Sequence, residues 1–381
     1  MNDVNDLGTK MYAKRADMIV HEQEPFNAET ARAALAEGPL TATDAFYVRG
    51  HGAVPDADPA TWRLRVHGLV ERELSLSLTT LREALPERTV TATLQCAGNR
   101  RAGLLAVRDI PGEAPWGPGA TGTATWTGVA LADVLALAGP LPDAAHIGFE
   151  GAEISEEVQP AERYGGSIPL AKACRPEVLL AWSMNGEPLP PVHGGPLRVI
   201  VPGYIGARSV KWLERIEVRA RPWDGYFQKV AYRLLPPDGK AAPGAGMPLG
   251  VVALNSEILS PGDGATVAPG PLEVRGYAFA GGERHVGRVD VSLDLGVTWS
   301  QAELLDDLGP WAWRHWRAVV DVAPGDHEIL VRAWDSSAAA QPMDEAGLWN
   351  PKGYVNNACP RIRVHAAPAG AARDTLVAHQ S

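Results

Sequence analysis

With 381 residues, the chain is too long for one ordinary hydrophobic core and is expected to fold as two domains. A formal net charge of -10 excludes a general nucleic-acid or anionic-membrane surface while leaving room for a local basic pocket. The three cysteines (Cys96, Cys174 and Cys359) offer neither a disulfide framework nor a CxxC zinc pattern, and the ten histidines contain no HExxH spacing.

The N-terminal stretch MNDVNDLGTKMYAKRADMIVHEQEPF is polar and lacks the apolar core of a secretory signal. No run of roughly 18 apolar residues follows it. These features predict a soluble, cytoplasmic protein that does not enter a membrane; the periplasm stays open as a location if a leader precedes this sequence. Residues 1–44 read as an N-terminal extension. Glycine (40 residues) and proline (32 residues) fall between short β-prone runs, which predicts many strands and turns and few long helices. The alternation in TWRLRVHGLV (61–70) predicts a half-buried strand. LSLTTLREAL (76–85) reads as a strand end passing into a short helix capped by Thr79 or Thr80. LADVLALA (131–138) predicts a helix stopped by Gly139-Pro140, and the apolar runs at 178–182 and 197–202 predict buried strands. Residues 45–235 are thus expected to form an α+β domain.

From 236 to 250 the sequence PPDGKAAPGAGMPLG reads as a linker. Beyond it, PLEVRGYAFA, RVDVSLDLG and HEILVRAWD alternate apolar and polar residues between Gly, Pro and Asp turns. An all-β immunoglobulin-like sandwich over 251–366 fits this pattern, without the Cys…Trp…Cys arrangement of antibody domains. Residues 367–381 read as a frayed tail.

The stretch TLQCAGNRR (93–101) carries the chemistry. Cys96 closes an apolar β-prone run and is followed by a small-residue turn and then by Arg100 and Arg101. An unpaired cysteine is ordinarily a small buried hydrophobe. Nearby cations, however, favour the thiolate, which is the form that attacks electrophiles or binds metals. A nucleophilic cysteine needs a base, usually histidine, held nearby. A soft metal ligand needs a cofactor to complete its site. Spacing leaves both open; the surrounding arginine and lysine favour the second, because a phosphate-bearing cofactor and an oxyanion substrate both require cations.

TLQCAGNRR resembles the molybdenum-ligand segment of the sulfite oxidase family, and further blocks resemble that family in order. They are Tyr47-Val48-Arg49-Gly50-His51, Trp116, Tyr164-Gly165-Gly166-Ser167-Ile168-Pro169-Leu170, MNGEPLP (184–190), HGGPLRVIVPG (193–203) and GARSVKWL (206–213). RVDVSLDLGVTWS, WAWRHW and WNPKGYVNNA resemble its C-terminal immunoglobulin-like dimerisation domain, so the resemblance spans roughly 45–365. The resemblance implies molybdenum-dependent oxidation of sulfite to sulfate by oxygen-atom transfer. Electrons would pass singly to a separate acceptor, with a cytochrome c among the candidates.

By the same resemblance Cys96 is the metal ligand, and Arg49, Arg101, Trp116, Tyr232 and Lys352 line the oxyanion pocket. Tyr47, Val48, Arg49, His51, Glu153, His193, Arg198, Arg208, Ser209 and Lys211 hold the molybdopterin. Neither a haem nor a flavin domain has a counterpart here. Three positions depart from the family pattern: Gly50 for asparagine, Glu153 for aspartate, and Lys352 for an arginine contributed by the second domain. Lysine keeps the charge but loses the fork that grips two oxygens.

Nitrate or sulfoxide reduction at the same centre is the alternative chemistry; Gln95 and Lys352 both resemble the sulfite enzymes rather than the nitrate ones. A non-catalytic, immunoglobulin-like adhesion or binding protein would account for the second domain but not for the cations around Cys96. The resemblance also implies a homodimer through the second domain, with Trp311, Trp313 and Trp316 either anchoring the interface or filling the sandwich core.

Overall fold

The alternation of threonine with small and apolar residues from Thr121 to Ala130 produces the strand around which the first half of the chain is organised. In this computed structural model, which describes residues 6–367, that strand lies between Glu87–Gln95 and Leu179–Met184, antiparallel to both. Arg198–Ile200 and Glu187–Pro188 add to Leu179–Met184 and complete a five-stranded sheet. The two apolar runs read as buried strands are therefore neighbours. A second five-stranded sheet has the order Leu74–Leu76, Leu64–Gly68, Leu213–Arg219, His146–Ser155, Glu162–Pro169. Only its pairing of Leu64–Gly68 with Leu213–Arg219 is parallel, among the described residues.

The helices are short, as the Gly and Pro content predicts. Leu131–Ala138 buries Leu131, Val134, Leu135 and Ala138 on one stripe and ends at Gly139, whose φ of 68° allows the left-handed cap. Leu78–Ala84 is capped by Ser77 rather than by Thr79 or Thr80: the Ser77 hydroxyl accepts the Thr80 N–H at 2.9 Å. Thr80 sits at the third helical position, where its N–H is a donor that needs a cap.

Contacts group the chain into two units. The first runs to Ala253 and includes Gly281–Glu283 and Glu345–Asn356; the second comprises Leu254–Ala280, Arg284–Asp344 and the described residues after Asn356. The residues read as an N-terminal extension are built into the first unit. Ile19–Glu22 and Asn27–Glu29 form a hairpin, and Ala28 exchanges backbone hydrogen bonds of 3.0 and 2.8 Å with Val48. The stretch read as a linker also belongs there, with Met247–Pro248 paired to Arg233–Leu234. So does Glu345–Asn356, expected in the second domain: Val355 N–H donates to the Ala97 carbonyl at 3.0 Å and Asn356 Nδ2 to the Arg100 carbonyl at 2.8 Å.

The second unit is a two-layer sandwich. One sheet orders Asn255–Ser260, Gly270–Phe279, Arg314–Val322, Glu303–Leu304; the other orders Ala265–Val267, Arg361–Ala366, Gly325–Asp335, Val286–Ser292, Ser300–Gln301. Strict alternation buries Trp316, Ala318, Val320 and Val322 of one sheet, which pack with Val289, Ile329 and Ile362 of the other. Trp316 lies in this core and Trp313, also buried, stacks on Tyr277 at 5.0 Å, so neither is available as an interface anchor; Trp311 is half-buried. Apart from Ala367, the segment read as a frayed tail (367–381) lies outside the described residues. Among the described residues no helix is long and apolar enough to cross a membrane.

Candidate active site

Cys96 sits where the strand Glu87–Gln95 leaves its sheet. Its N–H still donates to the Ala120 carbonyl at 2.9 Å, and the chain then turns, with Asn99 N–H returning to the Cys96 carbonyl at 3.1 Å. The Gly98 N–H points at Cys96 Sγ at 3.4 Å. Gly98 is required by what passes over it: a Cβ there would lie 2.6 Å from Arg101 Nη2. Asn99 fixes the far side of the turn by accepting the Ala120 N–H at 3.0 Å. Arg100, in the left-handed region at φ 64°, directs the chain into the helix Arg101–Val107. None of the three cysteines forms a disulfide.

Two cavities of the first unit meet at this sulfur and share Arg49, His51, Cys96 and Tyr232. Of the expected cofactor residues, Tyr47, Val48, Arg49, His51, Glu153, His193, Arg198, Ser209 and Lys211 line the first cavity. Arg208 does not. It is buried, donates to the Leu249 carbonyl at 2.7 Å, and leaves Nη1 without a hydrogen-bond partner. Arg198 is pinned by its two Nη groups, to the His193 carbonyl at 2.8 Å and the Ser209 carbonyl at 3.0 Å, over the Trp126 ring. Burial pushes it down to about 10. Lys211, reaching the Val192 carbonyl at 3.4 Å, is pushed by burial from 10.5 down to about 7. Against these cations the cavity offers the Glu153 carboxylate.

Gly50 and Glu153, two of the departures, turn out to be neighbours. One Glu153 oxygen accepts the His51 N–H at 2.7 Å and the Gly52 N–H at 3.1 Å, and a Cβ on Gly50 would stand 3.2 Å from it. The longer carboxylate thus ties down the turn whose side chain is missing at position 50. His51 stacks on Tyr164 at 5.0 Å, and its Nδ1 meets Glu157 while Nε2 meets the Tyr232 hydroxyl at 2.8 Å. Burial, then Arg49, lowers the His51 pKa, so the ring is neutral at pH 7. Nδ1 lies closer to the Glu157 carboxylate than to Arg49 Nη2, at 3.2 Å, and this assigns the proton to Nδ1, toward Glu157, with Tyr232 donating to Nε2.

The second cavity, of about 490 Å³, holds all five expected substrate residues: Arg49, Arg101, Trp116, Tyr232 and Lys352. Arg101 is buried; Nε donates to the Lys352 carbonyl at 3.1 Å, Nη1 to the Ala114 carbonyl at 2.8 Å, and the guanidinium faces the Tyr354 ring at 5.3 Å. Trp116 is buried edge-on to His21 at 4.7 Å. Tyr232 follows the π-helical turn Phe227–Ala231, a feature often found at functional sites, and lies beside Tyr354 at 5.7 Å.

Sequence reasoning missed Lys14, Glu113, Glu157 and Tyr354. Lys14 reaches in from the segment read as an extension. Its ammonium donates to the Thr43 carbonyl at 2.6 Å and the Phe46 carbonyl at 2.9 Å and meets His193 Nε2 at 2.6 Å. A lone lysine in a polar stretch carries no signal of that role. Tyr354 lies inside the block WNPKGYVNNA and Glu113 just before Trp116, and only the fold turns them inward. Among the described residues no group of three or more His, Cys, Asp or Glu side chains is placed to hold a metal ion.

Residues 51–227 match the family model described as oxidoreductase molybdopterin binding domain, and 249–367 match the Mo-co oxidoreductase dimerisation domain. Over 356 residues the chain is 44% identical to sulfite oxidase of Gallus gallus, covering 89% of this chain and 76% of that protein. The chain belongs to the sulfite oxidase family. It is therefore a molybdenum oxidoreductase, an α+β molybdopterin-binding domain followed by an immunoglobulin-like sandwich. Its identity to mitochondrial sulfite oxidase of Mus musculus is 42%, and there it covers 92% of this chain and 66% of that protein's length. Among solved structures, the sulfane dehydrogenase SoxCD from Paracoccus pantotrophus matches with a TM-score of 0.78 at 27% identity, covering 96% of this chain and 95% of that one. A nitrate reductase of Hordeum vulgare is 38% identical, and the chain covers 44% of it.

Proposed function

We propose that this enzyme oxidises sulfite to sulfate at a molybdenum–molybdopterin centre held by the first cavity, with the oxyanion bound in the second. The observation that carries this reading is the position of Cys96 Sγ, where a narrow cation-lined cavity opens into a chamber walled by Arg49, Arg101, Lys352, Trp116 and Tyr232.

The first cavity suits a phosphate-bearing cofactor by its charge. Three basic side chains (Arg49, Arg198, Lys211) face one carboxylate, and the Arg198 Nε is buried without a hydrogen-bond partner. Buried cations in surplus are costly, and a bound phosphate supplies the missing partner. Arg198 and Lys211 would hold that phosphate as a fork and a point charge. His51, Glu153, His193 and Ser209 would meet the pterin edges, while Tyr47 and Val48 wall them. Cys96 would ligate the metal as thiolate. When bound, the centre supplies the oxygen atom and takes up two electrons.

The chain's part is binding, orientation and proton handling. Arg49, Arg101 and Lys352 orient the sulfite oxygens, and Trp116 and Tyr354 shape the wall behind them. The hydrogen-bonded sequence Tyr232–His51–Glu157 leads from the junction to a half-exposed carboxylate, where a proton can leave. Electrons pass singly to a separate acceptor, for which a cytochrome c is a candidate. The working form is a homodimer through the second unit, and sedimentation is its check.

Of the two residues that favour sulfite over nitrate, Lys352 lines the chamber and Gln95 lines neither cavity, so Lys352 is the one that meets substrate. Purified protein should carry about one molybdenum per chain and reduce ferricyanide with sulfite. Turnover of nitrate with a dye donor, and none of sulfite, would reverse the reading.

A further inference from the structure

The chamber proposed for a doubly charged oxyanion is not a basic funnel. Its lining sets three basic side chains (Arg49, Arg101 and Lys352) against four carboxylates (Glu22, Glu113, Glu156 and Glu157), and His51 beside them is neutral at pH 7. The cofactor cavity has the opposite balance. One carboxylate in particular lies between two of the cations: Glu113 Oε2 is 3.2 Å from Arg101 Nη2, and Glu113 Oε1 accepts from Lys352 Nζ at 2.7 Å. It is largely buried, with 16% of its side chain exposed, so the pairings are only partly screened by solvent.

Arg101 does not depend on Glu113 for its position. Its other two nitrogens are bound to the Lys352 and Ala114 carbonyls, its plane faces Tyr354, and Gly98 leaves the space it occupies. The Glu113 carboxylate engages the one guanidinium nitrogen left for a guest, together with the Lys352 ammonium.

We propose that Glu113 is a specificity-determining residue, an internal anion that occupies the Arg101–Lys352 pair and that the substrate must displace. This rests on the assignment of the chamber as the oxyanion site. Binding is then an exchange of one anion for another. The exchange weakens every oxyanion that has only charge to offer, including the product sulfate and inorganic phosphate, and return of Glu113 to the pair helps expel sulfate. Like charges brought together in a partly dry site are a strong means of rejecting a guest.

Glu113→Gln keeps a side chain of the same shape that still accepts from Arg101 or Lys352, but removes the competing charge. Sulfate affinity, measured by calorimetry on the molybdenum-loaded protein, should tighten about tenfold, and KM for sulfite should fall in parallel. Unchanged or weaker sulfate binding and an unchanged or raised KM would overturn the proposal, since a carboxylate that merely held Arg101 in place would give that result. Should Glu113→Gln fail to take up molybdenum, Glu113→Asp, too short to span both cations, provides the same test with the same expected direction. Because calorimetry needs no turnover, a protein that binds sulfate as described but does not oxidise sulfite would contradict the proposed reaction and leave this inference standing.

Discussion

Lys211 is the side chain whose removal tests the charge logic of the cofactor cavity most sharply. Burial, opposed by Glu153 and reinforced by Arg198 and Arg49, brings its pKa from 10.5 to about 7. Between those values the unfolded chain keeps a proton that the folded, cofactor-free chain has released, so stability rises with pH across that window. The buried ammonium costs about 4 kcal/mol at pH 7 and about 2 kcal/mol at pH 9 relative to a neutral side chain. Lys211→Met should therefore stabilise cofactor-free protein, and its advantage over the wild type should shrink by about 2 kcal/mol from pH 7 to pH 9. Urea unfolding of both proteins, produced in a host that cannot make molybdopterin, reads this difference. Lys14, pushed to about 7 chiefly by burial, is present in both proteins; Lys211 is the smallest of the influences on it, after burial and Asp44, so most of its contribution cancels. With a phosphate beside it the Lys211 ammonium stays charged, so the same substitution should weaken cofactor retention by about 2–5 kcal/mol. Parallel stability curves for the two cofactor-free proteins would refute the claim that the cavity buries cations awaiting an anion.

Three further outcomes are expected. Arg101→Gln should lower kcat/KM for sulfite about ten- to a hundredfold through the lost charge-assisted bonds, measured by ferricyanide reduction. Lys14→Met removes the ammonium that meets His193 Nε2, and molybdenum content after gel filtration should fall about tenfold, as when a ligand's supporting partner is lost. Trp316→Ala opens the core of the second unit and should destabilise it by about 3–5 kcal/mol in urea unfolding.

Most of the strands were legible in the sequence because their signals are local, whereas the residues that line the two cavities, Cys96 apart, were named through the family resemblance. Alternation marks Leu64–Gly68, Gly270–Phe279, Val286–Ser292 and Gly325–Asp335, and the Gly139-Pro140 stop marks the end of Leu131–Ala138. Cys96, with its small-residue turn and arginines, likewise advertises itself within nine residues. What stayed hidden depends on distant partners. Lys14 acquires its partner only because the hairpin Ile19–Glu22 with Asn27–Glu29 docks at Val48, and Glu113 matters only because Glu345–Asn356 returns Lys352 and Tyr354 to the Cys96 loop. Arg208 shows the reverse. It shares a block with Ser209 and Lys211, yet its backbone position in the turn Gly206–Arg208 sends the side chain to the Leu249 carbonyl.

If a thiolate from this chain completes the metal's sulfur coordination, X-ray absorption at the molybdenum edge should count one fewer sulfur neighbour in cofactor-loaded Cys96→Ser than in the unsubstituted protein. Identical sulfur counts in the two would contradict the assignment on which the proposed chemistry is built.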